Sequence, residues 1–191
     1  ANVIIKPLIN SGILSKNIPI IINAVSGYSG GGKSMIKYFK ESGHEPFFNY
    51  GLKLNHKHLP EIIYHNKLEL TPIFSPSVGD FMQGMIVSIP LHFSWFNQKV
   101  DTEKIQCLLE EFYSEANFIK VLEKDEGISD KGYFRPDNLI GTNCLDISVF
   151  GNDYNNQLII SSRLDNLGKG ASGAAIQSMN IALGYDETLG L

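Results

Sequence analysis

Two histidines separated by a single residue, His56 and His58, are the pair in this 191-residue chain best suited to chemistry. Imidazole is the side chain whose ordinary pKa lies nearest neutrality, so it takes or gives a proton at physiological pH. The pair reads as a general acid or base with a neighbour; the plainer reading has one ring in a core hydrogen bond and the other in solvent. Pro60 and Glu61 follow and suit the first turn of a helix, which places both histidines just ahead of a helix start. A metal would need further ligands. His44, His65 and His92 have no compact spacing with them and no cysteine lies near, so no metal site is expected.

A second chemical stretch lies upstream. Ile20, Ile21, Ile22 and Val25 form a β-branched apolar run, a loop rich in glycine and serine spans Ser26 to Ser34, and Met35 to Lys40 reads as a helix. Glycines let a backbone approach a ligand closely, and free N–H groups at a helix start favour anions. The loop therefore suits a phosphate or carboxylate. Gly27-Tyr28-Ser29-Gly30-Gly31-Gly32-Lys33-Ser34 also fits the nucleotide-binding pattern G-x-x-x-x-G-K-S/T. That reading lacks a companion, because the best candidate for an apolar strand ending in a magnesium-binding Asp, Leu158 to Asp165, is interrupted by Ser161, Ser162 and Arg163. A nucleotide-binding P-loop, a bare anion-binding turn and a structural tight turn all remain open from these residues alone.

Composition narrows the class. Hydrophobic residues make up 43% of the chain and the mean hydropathy is -0.05, as in soluble globular proteins. No run approaches the roughly 18 apolar residues of a membrane span, and the first residues lack the pattern of a secretory signal. A net charge of -4 with scattered signs gives no basic stripe for nucleic acid. Cys107 and Cys144 make no disulfide framework and read as reduced, buried thiols of a cytoplasmic protein.

The elements that must carry these residues can be read in order. Val3, Ile4, Leu8, Ile9, Ile13 and Leu14 have helical spacing, with Pro7 awkward inside it. The chain starts on Ala1 without a helix cap, so it is expected to begin partway through a longer protein. His44 to Tyr50 reads as short and extended or irregular. A helix is expected through Asn66, and a strand from Leu70 to Pro76, closed by Ser77 to Asp80. Met85, Val87, Ile89, Leu91, Phe93 and Trp95 alternate as in a strand with one buried face, and Pro90 suggests an edge or a bulge there. Asp101 caps an amphipathic helix with Ile105, Leu108, Leu109 and Phe112 on its apolar side. Phe118 to Leu122 is a short strand, and Glu123 to Pro136 a mobile loop. Ile140 to Phe150 and Gln157 to Arg163 form a hairpin around Gly151-Asn152-Asp153. Asp165, Asn166 and Lys169 make either a ligand-facing loop or the cap of a small-residue helix, Ala174 to Ala182. Arg135 and Arg163, the chain's two arginines, could each clamp a carboxylate. The sum is an α+β fold with a mixed, largely antiparallel sheet and helices on one face.

Several of these segments, in this order, resemble N-acetyl-gamma-glutamyl-phosphate reductases, and most closely the shorter, type 2 bacterial form. They are Asn23 to Lys33, His56-Lys57-His58-Leu59-Pro60-Glu61, Pro72 to Pro76 with Gln83-Gly84-Met85, Gly141-Thr142-Asn143, and Asp165 to Asn180. The resemblance implies an oxidoreductase of arginine biosynthesis that reduces an acyl phosphate to a semialdehyde with NADPH and releases phosphate. It implies His58 as acid/base, with His56 beside it, and Ser26, Gly27, Ser29, Gly30 and Lys33 around the acyl phosphate. Asn166, with Gly170, would face the nicotinamide of NADP. The implied fold is that of the C-terminal catalytic domain of glyceraldehyde-phosphate and aspartate-semialdehyde dehydrogenases, and homo-oligomeric. Residues 1–191 would be that catalytic and dimerisation domain, with 165–185 returning to a Rossmann-type NADP-binding domain that this chain does not hold. The family's nucleophile lies in a Cys-Tyr-Pro-Thr-like segment just ahead of the first helix, and neither Cys107 nor Cys144 matches it. The chain alone is therefore expected to be inactive.

Overall fold

One mixed sheet of seven strands organises the chain, in the order β2-β3-β1-β4-β7-β6-β5. The strands are β1 (Ile21–Gly27), β2 (Phe47–Asn49), β3 (Ile73–Gly79), β4 (Met85–His92), β5 (Ile119–Val121), β6 (Leu145–Asn152) and β7 (Gln157–Leu164). The helices are α1 (Asn2–Asn10), α2 (Gly32–Glu41), α3 (Leu59–Asn66), α4 (Thr102–Tyr113) and α5 (Gly173–Leu183). The computed structural model describes residues 1–41 and 45–191. His44, and with it the start of the expected extended segment, lies outside them. β1 and β3 run parallel, as do β5 and β6, and the other four pairings are antiparallel, so the expected mixed, largely antiparallel sheet is what forms.

Alternation along the strands decides which face is covered. Val87, Ile89 and Leu91 of β4, Leu145 and Ile147 of β6, and Leu158 and Ile160 of β7 share a core with Ile4, Ile5, Leu8, Ile62, Ile105 and Leu109 from α1, α3 and α4. Those helices pack on one face. The intervening residues Ile86, Ser88, Pro90, Ser148, Phe150, Ile159 and Ser161 point the other way, and no helix among the described residues packs over them.

Pro7 does sit inside α1. It has no N–H for the carbonyl of Val3, one turn earlier, and the hydroxyl of Tyr113 donates to that carbonyl at 2.8 Å instead. This contact explains a departure on α4, where Phe112 is largely exposed and Tyr113 turns inward. Burial pushes the Tyr113 phenol well above its ordinary pKa. Pro90 is tolerated in a central strand because β1 pairs with β4 only as far as Asn23↔Ser88; beyond that, β4 has a neighbour on one side alone.

Other departures are shifts of boundary or burial. β3 starts at Ile73 and runs on through the expected turn to Gly79, because its parallel register with β1 continues from Ile21↔Ile73 to Gly27↔Gly79. β6 begins at Leu145 rather than Ile140. Cys107 is exposed and Cys144 only partly buried, so they are not two buried thiols; Cys107 lies off the Ile105–Leu109 stripe that α4 buries. Glu123 to Pro136 is fastened rather than loose. Arg163 Nη1 donates to the Gly127 carbonyl at 2.9 Å, its guanidinium lies over the Phe134 ring, and Phe134 meets Phe150 edge-on. The carboxylate that Arg163 clamps is internal, that of Asp146, and both side chains are buried.

Candidate active site

β1 delivers the chain to a tight turn, Tyr28–Gly31, and then to α2, the strand, turn and helix expected from the sequence. The turn's backbone is used differently from an anion cradle. Gly27 N–H donates to the Gly84 carbonyl, Tyr28 N–H to Phe81 and Ser29 N–H to Met82, all at 2.9–3.1 Å. A segment before β4 thus occupies the first three backbone donors of the turn. Glycine is required at this crossing: a Cβ on Gly27 would lie 2.6 Å from the Met82 carbonyl, and Gly84, at φ +105°, would place one 2.3 Å from that of Pro136. Lys33, in the first turn of α2, is exposed.

Beside this turn lies a cleft of about 300 Å³ lined by Ser26, Gly27, Gly30 and Gly31 on one side and by Tyr50, His56, Lys57 and His58 on the other. Met35, Val78, Met85 and Asn166 complete it. The two segments far apart in sequence that suggested chemistry therefore meet. His58 stands at the N-cap position of α3, whose first turn holds Pro60 and Glu61. The His58 N–H donates to His56 Nδ1 at 3.3 Å, so a neutral His56 carries its proton on Nε2. The His56 ring packs edge-on against Phe74 with centroids 4.8 Å apart and lies 4.9 Å from the His58 ring. Partial burial, then the nearby charges of His58 and Lys57, lower the pKa of His56. A second cleft shares His58 and Met85 with the first and is lined further by Ala1, Asn2, Glu61 and Gly170.

Of the residues expected around an acyl phosphate, the structure brings Ser26, Gly27 and Gly30 to the cleft with both histidines. Ser29 is buried away from it and Lys33 lines neither cleft. Asn166, expected to face a nicotinamide, is engaged at both ends of its amide. Its Oδ1 accepts from Gly84 N–H at 2.7 Å and its Nδ2 donates to Ser29 Oγ at 2.9 Å. Asp165 is buried without a cation: Oδ1 accepts from Leu167 N–H, and Oδ2 from Gly141 N–H and Gln83 Nε2. Burial pushes this carboxyl up, but the hydrogen bonds from Leu167, Gly141, Gln83 and Gly168 outweigh it and hold the pKa below the ordinary value. Of the two readings of the 165–169 segment, a ligand loop or a helix cap, neither describes it fully. It is a knot joining the glycine turn, the 81–84 segment and a single π-helical turn, Gly168–Ser172, that leads into α5. Sequence reasoning missed Tyr50, Lys57 and Met85 as cleft residues; Lys57 was signalled only by its place between the two histidines. Among the described residues, no cluster of three or more His, Cys, Asp or Glu side chains could hold a metal ion.

A family model described as semialdehyde dehydrogenase, dimerisation domain, matches residues 1–166. The chain is 45% identical over 198 residues to N-acetyl-gamma-glutamyl-phosphate reductase 2 of Nostoc sp., a match covering 98% of this chain and 61% of that protein. It is 40% identical over 186 residues to the N-acetyl-gamma-glutamyl-phosphate reductase of Brucella ovis, covering 95% and 60%. The chain thus spans about three-fifths of the length of the curated relatives it matches. Among solved structures, aspartate semialdehyde dehydrogenase II from Vibrio cholerae superposes with a TM-score of 0.64 at 14% identity, over 97% of this chain and 60% of that one. Aspartate semialdehyde dehydrogenase from Francisella tularensis gives 0.66 at 13% identity, over 95% and 61%. At such identities the likeness is one of fold.

Proposed function

Because the chain belongs to the semialdehyde dehydrogenase dimerisation-domain family, we propose that it is the catalytic part of an N-acetyl-gamma-glutamyl-phosphate reductase. In this reading the parent protein reduces N-acetylglutamyl 5-phosphate to N-acetylglutamate 5-semialdehyde, with release of inorganic phosphate, in arginine biosynthesis. The observation that carries it is the joining of His56, His58 and the glycine turn in one cleft, on a chain 45% and 40% identical to proteins of that name. No feature of the cleft favours a nucleotide-binding P-loop.

His58 is the acid/base. Its ring makes no hydrogen bond with another described residue, so it is free to exchange a proton with the substrate oxygen. His56 stays neutral, holds its proton on Nε2, and fixes the backbone of His58 through Nδ1. The nucleophile is a cysteine thiolate ahead of α1. Ala1 and Asn2 line the second cleft with His58, so residues preceding them would enter the site beside that ring. Attack of the thiolate on the acyl carbon breaks the bond to the phosphate oxygen; phosphate leaves, and the thioester remains for reduction. NADPH would supply the hydride. This chain offers that cofactor little: Gly170 lines the second cleft, but the Asn166 amide already has partners within the protein. The cofactor-binding domain belongs to the remainder of the parent protein, with 165–185 returning toward it, and this chain alone does not turn over. The part of the helix-free sheet face where Ile159 is exposed is the surface through which copies associate. The parent protein works in the cytoplasm.

The test uses the complete protein in the reverse direction, with N-acetylglutamate semialdehyde, NADP and inorganic phosphate. Phosphate-dependent formation of reduced nicotinamide is expected. Its absence, with all substrates at saturation, would overturn the reading.

A further inference from the structure

Resting on that reading, we propose that Lys57 is the residue that holds the phosphate end of the substrate, in the place that sequence reasoning gave to Lys33. Among the residues lining the main cleft, Lys57 is the one lysine or arginine. Lys33 sits in the first turn of α2 and lines neither cleft.

Among the described residues, Lys57 is also without an ion-pair partner. The ion pairs among the described residues join Lys37 to Glu41, Lys120 to Glu126, Arg135 to Asp137 and Arg163 to Asp146, and none includes it. Glu61, four residues on, lines the second cleft, which shares His58 with the first. The two clefts that meet at His58 are therefore of opposite character: one has a cation and the glycine turn, the other a carboxylate. A phosphate dianion is attracted to the first and repelled by the second. The backbone donors of Gly27, Tyr28 and Ser29 point to carbonyls of the 81–84 segment and so give a phosphate nothing, which leaves a role for a cation. Ser26 Oγ, at the head of that turn, already gives its hydrogen to the Gly27 carbonyl at 3.0 Å. An ammonium on a flexible stem can approach phosphate oxygens as a point charge, without the fixed geometry of a guanidinium.

The reverse reaction separates the two anions of the site, because phosphate and the carboxylate-bearing semialdehyde are added independently. In the complete protein, Lys57→Gln is expected to raise the KM for inorganic phosphate by about tenfold or more, as loss of a hydrogen bond to a charged group does. The KM for the semialdehyde and kcat at saturating phosphate should stay within about twofold, since a residue that binds substrate and transition state alike leaves kcat unchanged. Lys57→Arg should recover most of the phosphate affinity. A rise in the semialdehyde KM alone would place Lys57 on the carboxylate and overturn the proposal. So would a rise in phosphate KM caused by Lys33→Gln and not by Lys57→Gln. Should the wild-type complete protein show no reductase activity, the reading of function has failed, and direct phosphate binding still decides this inference. Broadening of the phosphorus resonance of inorganic phosphate by wild type but not by Lys57→Gln would uphold it, and equal broadening by both would overturn it.

Discussion

The segment that follows β7 and the segment that precedes α3 both line the cleft, and they are built in opposite ways. At Asp165 and Asn166 the side chains are buried and each polar end has a partner: Leu167, Gly141 and Gln83 for the carboxylate, Gly84 and Ser29 for the amide. At Lys57 and His58 the side chains are exposed, and neither makes a hydrogen bond with another described residue. A buried polar group is costly unless it is satisfied, so the first segment is fixed in one arrangement. An exposed group without a protein partner keeps its capacity for a ligand. In the reading proposed above the saturated segment serves as scaffold and the unsaturated one as site, although the letters D-N and H-K-H look equally chemical.

Substitutions on the scaffold side should therefore act on stability. The largest effect is expected from Arg163→Ala, which strands the buried Asp146 carboxylate and should cost about 3–5 kcal/mol. Chemical denaturation with an unchanged slope would measure it. Asn166→Ala leaves the Gly84 N–H and the Ser29 hydroxyl without their partner, for about 2–4 kcal/mol by the same method.

Asp165→Asn sharpens the comparison through pH. The folded-state pKa of Asp165 is depressed, so near its titration the folded protein binds fewer protons here than the unfolded chain does. The stability it contributes is complete above the unfolded value of about 3.9 and is lost as pH falls through the lower folded value. The gap in unfolding free energy between wild type and Asp165→Asn should be constant near neutrality and narrow below about pH 4. A gap that widens on acidification would contradict the assignment.

A smaller loss, about 1 kcal/mol, is expected from Tyr113→Phe, which removes the donor to the Val3 carbonyl that Pro7 cannot serve. The smallest should come from Lys120→Ala. Its exposed pair with Glu126 raises the pKa of the lysine, chiefly through their hydrogen bond, yet solvent screens it, and the melting temperature should not move measurably.

How far the sequence revealed this division depends on the range of the interactions. Period-two and helical patterns placed β4, α1 and α4, because burial on one face is written locally in the order of apolar residues. The His56–His58 pair and the glycine turn were legible as candidates because each is a short local run of residues. The limits of β3 were not, since its extension to Gly79 is set by pairing with β1 about fifty residues away. Nor were the roles of Asn166 and Ser29. Their bond spans 137 positions in the chain, and nothing in either neighbourhood marks the other. Lys33 was pointed to by the family resemblance, but in the first turn of α2 it does not line the cleft, while Lys57 was passed over between two more conspicuous histidines.

The measurement that tests this division most directly is the reverse-reaction rate of the complete protein carrying His58→Asn, with its unfolding midpoint taken on the same sample. The rate should fall by about 10²–10⁴-fold, the usual contribution of a general acid or base, while the midpoint stays within about 1 °C of wild type. A variant that keeps the wild-type rate, or one that loses activity only because it unfolds, would show that the exposed histidine is not the site.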